Sequence, residues 1–503
     1  MPALKLTLTA TNNQHFTIVA GDYATENSAL PFFDVQGNSH LRTVINTLNV
    51  FTTEYLSNNN DQNWMISEGL LNQQNPKFFH SQMRENIGKK LYQALFTGNI
   101  EEALNKERGK NENLHIQIQY DFRVSATSNL SLYPWHLAHN GKNFLAKDGV
   151  TFFYRILDNT NLPRATRQID KLKILVISSQ AFDDDQSQLQ NQAPLINDSL
   201  NTAQNEGRAC LLSWYQQNEK PTFTRLRDYL TDHFKQADKL PDIIHFNGHG
   251  VFKDKSGFLQ LENDDQDNSD YISAEDFKDL IEICNPKPQL VVITACQGSL
   301  AHKSDSVFNG VAQKLLQIVP AVVATPFTIS QDSTTDFIGQ FYRLLGTGKS
   351  SLLEAVKFAS KAMKYKEYEW YRFVVFLRHD GDEDGYLFDF QETPLQPVIS
   401  QNRELEASDI EIMKDLLKRC RIITTNRIIR ENFCKSIGIE IDDISPDGLA
   451  SLSDKLFIDT LLDYLERTDN ISAFYQLCIK LEPHFKSSLT FANKLQVIKN
   501  KFM

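Results

Sequence analysis

Asp242-Ile-Ile-His-Phe-Asn-Gly-His-Gly250 and Leu290-Val-Val-Ile-Thr-Ala-Cys-Gln-Gly298 decide the fold of this 503-residue chain. Each is a short apolar run that stops abruptly in small and reactive residues. Strands buried on both faces of a parallel sheet have this appearance. In an open α/β sheet, reactive groups collect outside the carboxyl ends of such strands. The two runs are therefore expected to deliver His249 and Cys296 to one sheet edge, each in a Gly-containing turn. A His brought beside a Cys makes a base and a nucleophile.

Outward from this pair, residues 169–390 repeat the same grammar. Apolar runs at Leu172–Ser178, Ile243–Phe246, Leu290–Ala295, Ala321–Thr325 and Phe373–Leu377 predict strands. Amphipathic segments at Thr224–Gln236, Ala274–Ile283, Val307–Gln317, Ser333–Leu345 and Leu352–Met363 predict the helices between them. Strand–helix alternation predicts an α/β fold, a mainly parallel sheet with helices on both faces. Residues 1–168 open with an expected hairpin, Leu4–Ala10 and His15–Ala20, then a helix around Ile87–Phe96 and an alternating strand at His115–Phe122. The Pro/Gln-rich segment 391–402 has linker composition. Residues 403–503 lose the strand pattern and predict an all-α bundle, with Phe457, Leu461 and Tyr464/Leu465 at helical spacing and Asp454 as an N-cap.

Composition narrows the function. Hydrophobic residues are 41% and charged residues 23%, which allows a sizeable core. The formal net charge of −11 argues against sequence-independent nucleic-acid binding and against a basic membrane patch. Six cysteines are scattered with no CxxC pair, which gives no metal-ligand spacing and suits a reducing compartment. The N-terminus alternates like a strand, not a signal peptide, and no run approaches the roughly 18 apolar residues of a membrane span. A cytoplasmic protein without cofactor or metal is the expectation.

A thiol attacks a peptide carbonyl as thiolate, and a nearby imidazole both lowers its pKa and protonates the leaving amine. Gly248 and Gly250 flank His249, and Gly298 follows Cys296. Glycine leaves backbone N–H groups open for an oxyanion. The separation of His249 and Cys296 is close to the ~50 residues of caspase-like enzymes. His245 lies inside the first run and is expected to be a packed core histidine; Asn247 is expected to be a turn residue.

On these residues the chain resembles the caspase clan of cysteine peptidases, and within it the CHAT branch. Pro134-Trp135, Pro221-Thr222, Asp242–Gly250, Thr294-Ala-Cys-Gln-Gly298, Ala321–Ala324, Phe327–Ser330, Phe341-Tyr342 and Phe373–Leu377 carry the resemblance over about 1–390. The acidic residue usual after that Trp is His136 here. The resemblance implies a caspase-like fold with an N-terminal pseudo-half over 1–168 and the protease proper over 169–390. It implies His249 as general base and acid, Cys296 as nucleophile and the backbone N–H groups of Gly250 and Cys296 as the oxyanion hole, with no required carboxylate third member. In caspases the residue two before the Cys is Gln, for an acidic P1; in metacaspases it is Asp, for a basic one. Thr294 stands there in this chain and speaks for a neutral P1, while Asp183, Asp184 and Asp185 are the candidates for a basic-P1 pocket.

Two tempting motifs fail. Gly346-Thr-Gly-Lys-Ser350 lacks the first Gly of a phosphate loop, where Arg343 stands, and it joins two helices. Asn263–Asp270 lacks the Gly and the final Glu of a calcium loop and suits a hairpin tip. The C-terminal bundle segregates charge, Lys418, Arg419, Arg421, Arg427 and Arg430 before Glu440, Asp442, Asp443 and Asp447. Opposed patches suit head-to-tail pairing with a matching module. Ile412–Phe485 is similar to the effector-associated domains of bacterial conflict systems, which implies a homotypic adaptor. The expectation is a cysteine endopeptidase making limited cleavages in a protein partner of a bacterial defence or cell-death pathway, a gasdermin-like pore former being a candidate substrate. The alternative is a catalytically silent caspase-like scaffold that binds peptides by strand addition.

Overall fold

The computed structural model describes residues 3–50, 54–55, 61–111, 113–121, 130–156, 166–179, 192–212, 220–233, 236, 239–253, 256–263, 269–296, 307–378, 385–390, 407–419, 427–437, 439, 453–467, 471–485, 491, 494–495 and 498. The strands are β1 (Ala3–Ala10), β2 (His15–Ala20), β3 (Tyr23–Ala29), β4 (His115–Tyr120), β5 (Thr151–Ile156), β6 (Arg167–Ile169), β7 (Leu172–Ser178), β8 (Ala209–Leu211), β9 (Ile243–Lys253), β10 (Ser256–Glu262), β11 (Ser269–Ser273), β12 (Leu290–Cys296), β13 (Ala321–Ala324), β14 (Val374–Leu377) and β15 (Phe388–Phe390). Thirteen of them form one sheet in the order β11-β10-β9-β12-β13-β14-β5-β4-β1-β2-β3, with β7 and β8 branching from β9.

Strands β7, β9, β12 and β13 are parallel, and β14 closes them antiparallel. Phe376 of β14 then pairs with Tyr154 of β5, so the N-terminal strands continue the same sheet instead of making a second one. Residues 1–392 are one compact unit, and residues 393–503 are another. The fold is a mixed, mostly parallel sheet flanked by helices, as the alternating pattern predicts.

Strand alternation explains the two cores. Ile177, Ile244, Phe246, Val291, Ile293, Val322 and Ala324 pack one face. Val176, Ile243, Val292 and Val323 pack the other, under the helices Gln331–Gly346 and Leu352–Ala362. Each fully buried aliphatic or aromatic side chain contributes about 1.5–3 kcal/mol relative to exposure. Ser351 and Glu354 form a reciprocal capping box that starts the second helix, and Ser330 caps the first. Gly346 ends that first helix and leads into the second, as expected of a helix–helix joint.

Several strands escape the sequence pattern, β3 and β5 among them. Tyr23–Ala29 is an edge strand with mostly exposed residues, and Thr151–Ile156 lies between β4 and β14 in the sheet. β9 differs in another way: it does not end at Phe246 but runs on through His249 to Lys253 and pairs there with β10. His249 and Asn247 are therefore strand residues, not turn residues. Extension is favoured because Val251 and Phe252 find partners in Phe258 and Gly257 across a hairpin.

In the C-terminal unit, helices Ala407–Arg419, Arg427–Ser436, Asp454–Arg467 and Ile471–Phe485 pack Met413, Leu416, Phe433, Phe457, Leu461, Leu465, Leu477 and Leu481 into one core. Asp454 is the first helical residue, and the cap is Ser453, whose Oγ accepts from the Leu456 N–H at 3.3 Å. Arg430 does not belong to a surface patch: it is buried with its guanidinium 4.8 Å from the Phe457 ring centroid. Arg419 pairs with Asp415. Arg421, Glu440, Asp442, Asp443, Asp447 and the linker 391–402 lie outside the described residues.

Candidate active site

The parallel ladder between β9 and β12 pairs Leu290 with Ile243 and continues in step to Thr294 with Asn247, Ala295 with Gly248 and Cys296 with His249. Cys296 is the last residue of β12. Neighbouring strands lie about 4.8 Å apart, so positions 249 and 296 are adjacent across the sheet at its carboxyl edge. His249 is mostly buried at 7% exposure.

Gly248 has a packing reason. A Cβ there would stand 2.7 Å from Phe246 Cζ and 3.3 Å from Ser179 Cβ. The missing side chain lets β7's exit and the Phe246 ring close over the strand just before His249. Gly250 lies opposite Leu259 in the antiparallel ladder with β10.

One register step below the pair is a buried polar floor. Thr294 is 3% exposed, and its Oγ1 donates to Gln192 Oε1 at 3.1 Å, within reach of the Phe246 carbonyl at 3.3 Å and Asn247 Oδ1 at 3.4 Å. His245 is fully buried, with Nε2 2.7 Å from Gln192 Oε1 and Nδ1 2.9 Å from Tyr342 Oη. A carboxamide oxygen only accepts, so Nε2 carries the proton and Nδ1 accepts from the Tyr342 hydroxyl. Burial pushes the His245 pKa down to about 3, so the ring is neutral. His245 is the packed core histidine its position in the apolar run predicts.

Thr294 thus spends its hydroxyl inward, on Gln192. Asp183, Asp184 and Asp185, with Gln297 and Gly298, lie outside the described residues. Gln192 was not legible as a site residue, because it sits at the end of a polar Gln/Asn-rich stretch with no periodicity.

Trp135 and His136 act at a distance, at the junction with the N-terminal strands. Trp135 is fully buried and donates from Nε1 to the Leu130 carbonyl at 3.0 Å. His136 meets Tyr154 Oη at 2.6 Å through Nδ1 and the Tyr371 carbonyl at 2.9 Å through Nε2. Burial lowers its pKa to about 4. A neutral imidazole therefore ties β5 to the segment entering β14. Among the described residues no helix is long and apolar enough to cross a membrane.

The family model for the CHAT domain matches residues 85–385, more than half of the chain. No curated protein matches in sequence. Among solved structures, the Arg-specific cysteine proteinase gingipain R is 11% identical, with a TM-score of 0.33 over 56% of this chain and 67% of that one. Separase of Saccharomyces cerevisiae, in its complex with securin, is 16% identical, with a TM-score of 0.31 over 67% of this chain and 22% of that one. The Drosophila initiator caspase Dronc is 14% identical, with a TM-score of 0.26 over 40% of this chain and 75% of that one. By the extent of the family match, the chain belongs to the CHAT-domain family.

Proposed function

We propose that this CHAT-domain chain is a caspase-like cysteine endopeptidase, with Cys296 as nucleophile and His249 as its proton shuttle. The observation that supports this reading is the direct pairing of the two positions at the end of adjacent parallel strands. His249 takes the thiol proton, and the Cys296 thiolate adds to the peptide carbonyl. The backbone N–H groups of Gly250 and Cys296 are the oxyanion donors in this reading. His249 then protonates the leaving amine, and water, deprotonated by the same imidazole, releases the acyl group and restores the thiol.

The neutral floor below the pair and the inward-turned Thr294 support an uncharged P1 over an acidic or basic one. The test is cleavage of a diverse peptide library by the full chain, alongside labelling of Cys296 with a peptide electrophile at neutral pH. Cys296→Ala and His249→Ala chains with unchanged melting curves are expected to lose cleavage by at least 10³-fold, as residues acting as one unit do. Persisting cleavage in either variant sinks the assignment.

The same proposal extends to partners. The helical tail over 403–503 serves as an adaptor that recruits or activates the enzyme through a matching module, and the target is a protein of a bacterial defence pathway, a gasdermin-like pore former being one candidate. The tail's separate core and its similarity in sequence pattern to effector-associated domains support this reading. Equal cleavage by the full chain and by residues 1–392 under dilute conditions would remove the recruitment role.

A further inference from the structure

Positions that face one another across a sheet ladder share a face of that sheet. Position 249 of β9 faces position 296 of β12 on one side and Gln260 of β10 on the other. Positions 260, 249 and 296 therefore form one row across three strands, with His249 in the middle. Tyr271 of β11 carries the row on to the sheet edge. Alternation fixes which face this is. Leu259 and Leu261 pack with Phe246 and Ile293 into one core. Gln260 belongs to the opposite face, with His245 and Thr294. Directly opposed positions of an antiparallel pair stand about 5 Å apart, within reach of a Gln side chain.

Gln260 is an unusual residue for its place. It is 1% exposed and lies between two fully buried leucines. Its Oε1 is shut from solvent and has no hydrogen-bond partner among the described residues. Burying an amide oxygen without a partner costs free energy, and such a group in a folded protein requires a reason. An apolar side chain would fill the position at less cost.

The chemistry of His249 supplies the reason. To take a thiol proton, the imidazole nitrogen turned toward position 296 must be bare, and the other then carries the N–H. His249 is 7% exposed, so that N–H needs an acceptor within the protein. Once the ring is protonated beside a thiolate, the same N–H belongs to a cation and its hydrogen bond strengthens. An acceptor on the side of the ring away from position 296 fixes the tautomer. Gln260 stands on that side.

We propose that Gln260 is the positioning residue of His249, its carboxamide oxygen accepting from the imidazole N–H that faces away from position 296. This rests on the peptidase reading above and adds to it a neutral orienting group where a carboxylate could have stood. A carboxylate there would hold the ring charged. An amide orients the ring and leaves it free to pass its proton to the leaving amine. The other titratable positions on this face of the neighbouring strands are His245, held neutral by burial, Glu262, one alternation beyond Gln260, and Tyr271 at the edge.

The test uses the full chain and two readouts. One is kcat and KM on the best-cleaved library peptide. The other is the pH midpoint of iodoacetamide alkylation at Cys296, read by mass spectrometry of the peptide that carries it; alkylation needs the thiolate but no substrate. A hydrogen bond to a charged group is worth roughly 10- to 100-fold in an equilibrium. Gln260→Met, near in volume but lacking the acceptor, should lower kcat by about 10- to 100-fold with KM unchanged, and move the alkylation midpoint up by about one to two pH units. It should melt no lower than the wild type, because the buried amide is gone. Gln260→Glu keeps an acceptor and adds charge, so it should move the midpoint down. A packing role would not shift the two variants in opposite directions. Wild-type kcat and midpoint in Gln260→Met, or a loss confined to KM, overturns the positioning role and leaves the peptidase standing. A midpoint in Gln260→Glu that stays or rises does the same, whether or not Gln260→Met folds. A wild-type chain that cleaves nothing and is not alkylated at Cys296 overturns both.

Discussion

Two buried neutral histidines make the N-terminal 392-residue unit sensitive to mild acid, and the size of the effect follows from their surroundings. His245 is held at a pKa of about 3 and His136 at about 4, both lowered from 6.5 by burial. In the unfolded chain each binds a proton near pH 6.5; in the folded chain neither does until much lower. The unfolded state therefore holds more protons throughout this window, and stability falls as pH drops below 6.5. Each unit of pH costs about 1.36 kcal/mol per histidine until the folded pKa is reached. At pH 5 each ring subtracts about 2 kcal/mol and the pair about 4, a large part of a typical 5–15 kcal/mol total. Guanidinium unfolding followed by tryptophan fluorescence at pH 7, 6 and 5, at constant ionic strength, measures it. His245→Asn and His136→Asn should each start less stable at pH 7, because each breaks two buried hydrogen bonds, yet each should lose about half of the wild-type pH slope. A flat wild-type profile between pH 6.5 and 5, or slopes unchanged in both variants, refutes the reasoning.

Three further outcomes are expected. Gly248→Ala should cost about 1–3 kcal/mol by overpacking, because Phe246 is fully buried edge-on to Phe277 at 5.9 Å and has no room to yield; an unchanged melting temperature would show that the close approach is not real. Thr294→Val keeps the shape but removes the donor to Gln192 and should cost about 1–2 kcal/mol in chemical unfolding, whereas a neutral result would mean that the floor network carries no net stability. Ser453→Ala removes the cap of helix Asp454–Arg467 and should destabilise the C-terminal unit by about 1 kcal/mol, with the melting of residues 1–392 unmoved; a shift in both transitions would tie the two units together energetically.

Much of the architecture was legible because strands β7, β12 and β13 are buried on both faces. Leu172–Ser178, Leu290–Ala295 and Ala321–Thr325 read as apolar runs for that reason, and the structure keeps them within a residue. Tyr23–Ala29 was not legible, because an edge strand facing water has no such run. The end of β9 was misjudged for a related cause. Asn247-Gly248-His249-Gly250 has turn composition, and only a hairpin partner supplied by residues 256–262 keeps it extended. At the candidate site, the adjacency of positions 249 and 296 could be read from residue type at the ends of runs. The floor could not: Gln192 reaches His245 and Thr294 across more than fifty residues of chain, and no local periodicity announces such a contact. Arg430 was misplaced because a single Arg among basic neighbours gives no sign that its partner is a phenyl ring.

The neutral floor also bears on how the proposed proton shuttle works. His245 and His249 are two residues apart along each of two alternations on one face of β9, with Asn247 between them. Four residues of strand separate their backbones by roughly 13 Å. Two charged imidazoles at that distance repel by about 1 kcal/mol at an effective dielectric of about 20, or nearly one pKa unit. A protonated His245 would therefore oppose the charging of His249 that thiolate formation requires. Burial, with Tyr342 donating to Nδ1 and Gln192 accepting from Nε2, fixes His245 in the uncharged form and removes that opposition. Asn247, 2% exposed between them, places an amide and not a charge in the gap. Replacing it by Asp would set a carboxylate two residues from His249, favour the imidazolium, and shift the acid limb of kcat/KM to higher pH, since more acid-stable His249 charge means less free base. An acid limb that moves down or stays fixed in Asn247→Asp would break the link between this floor and the shuttle.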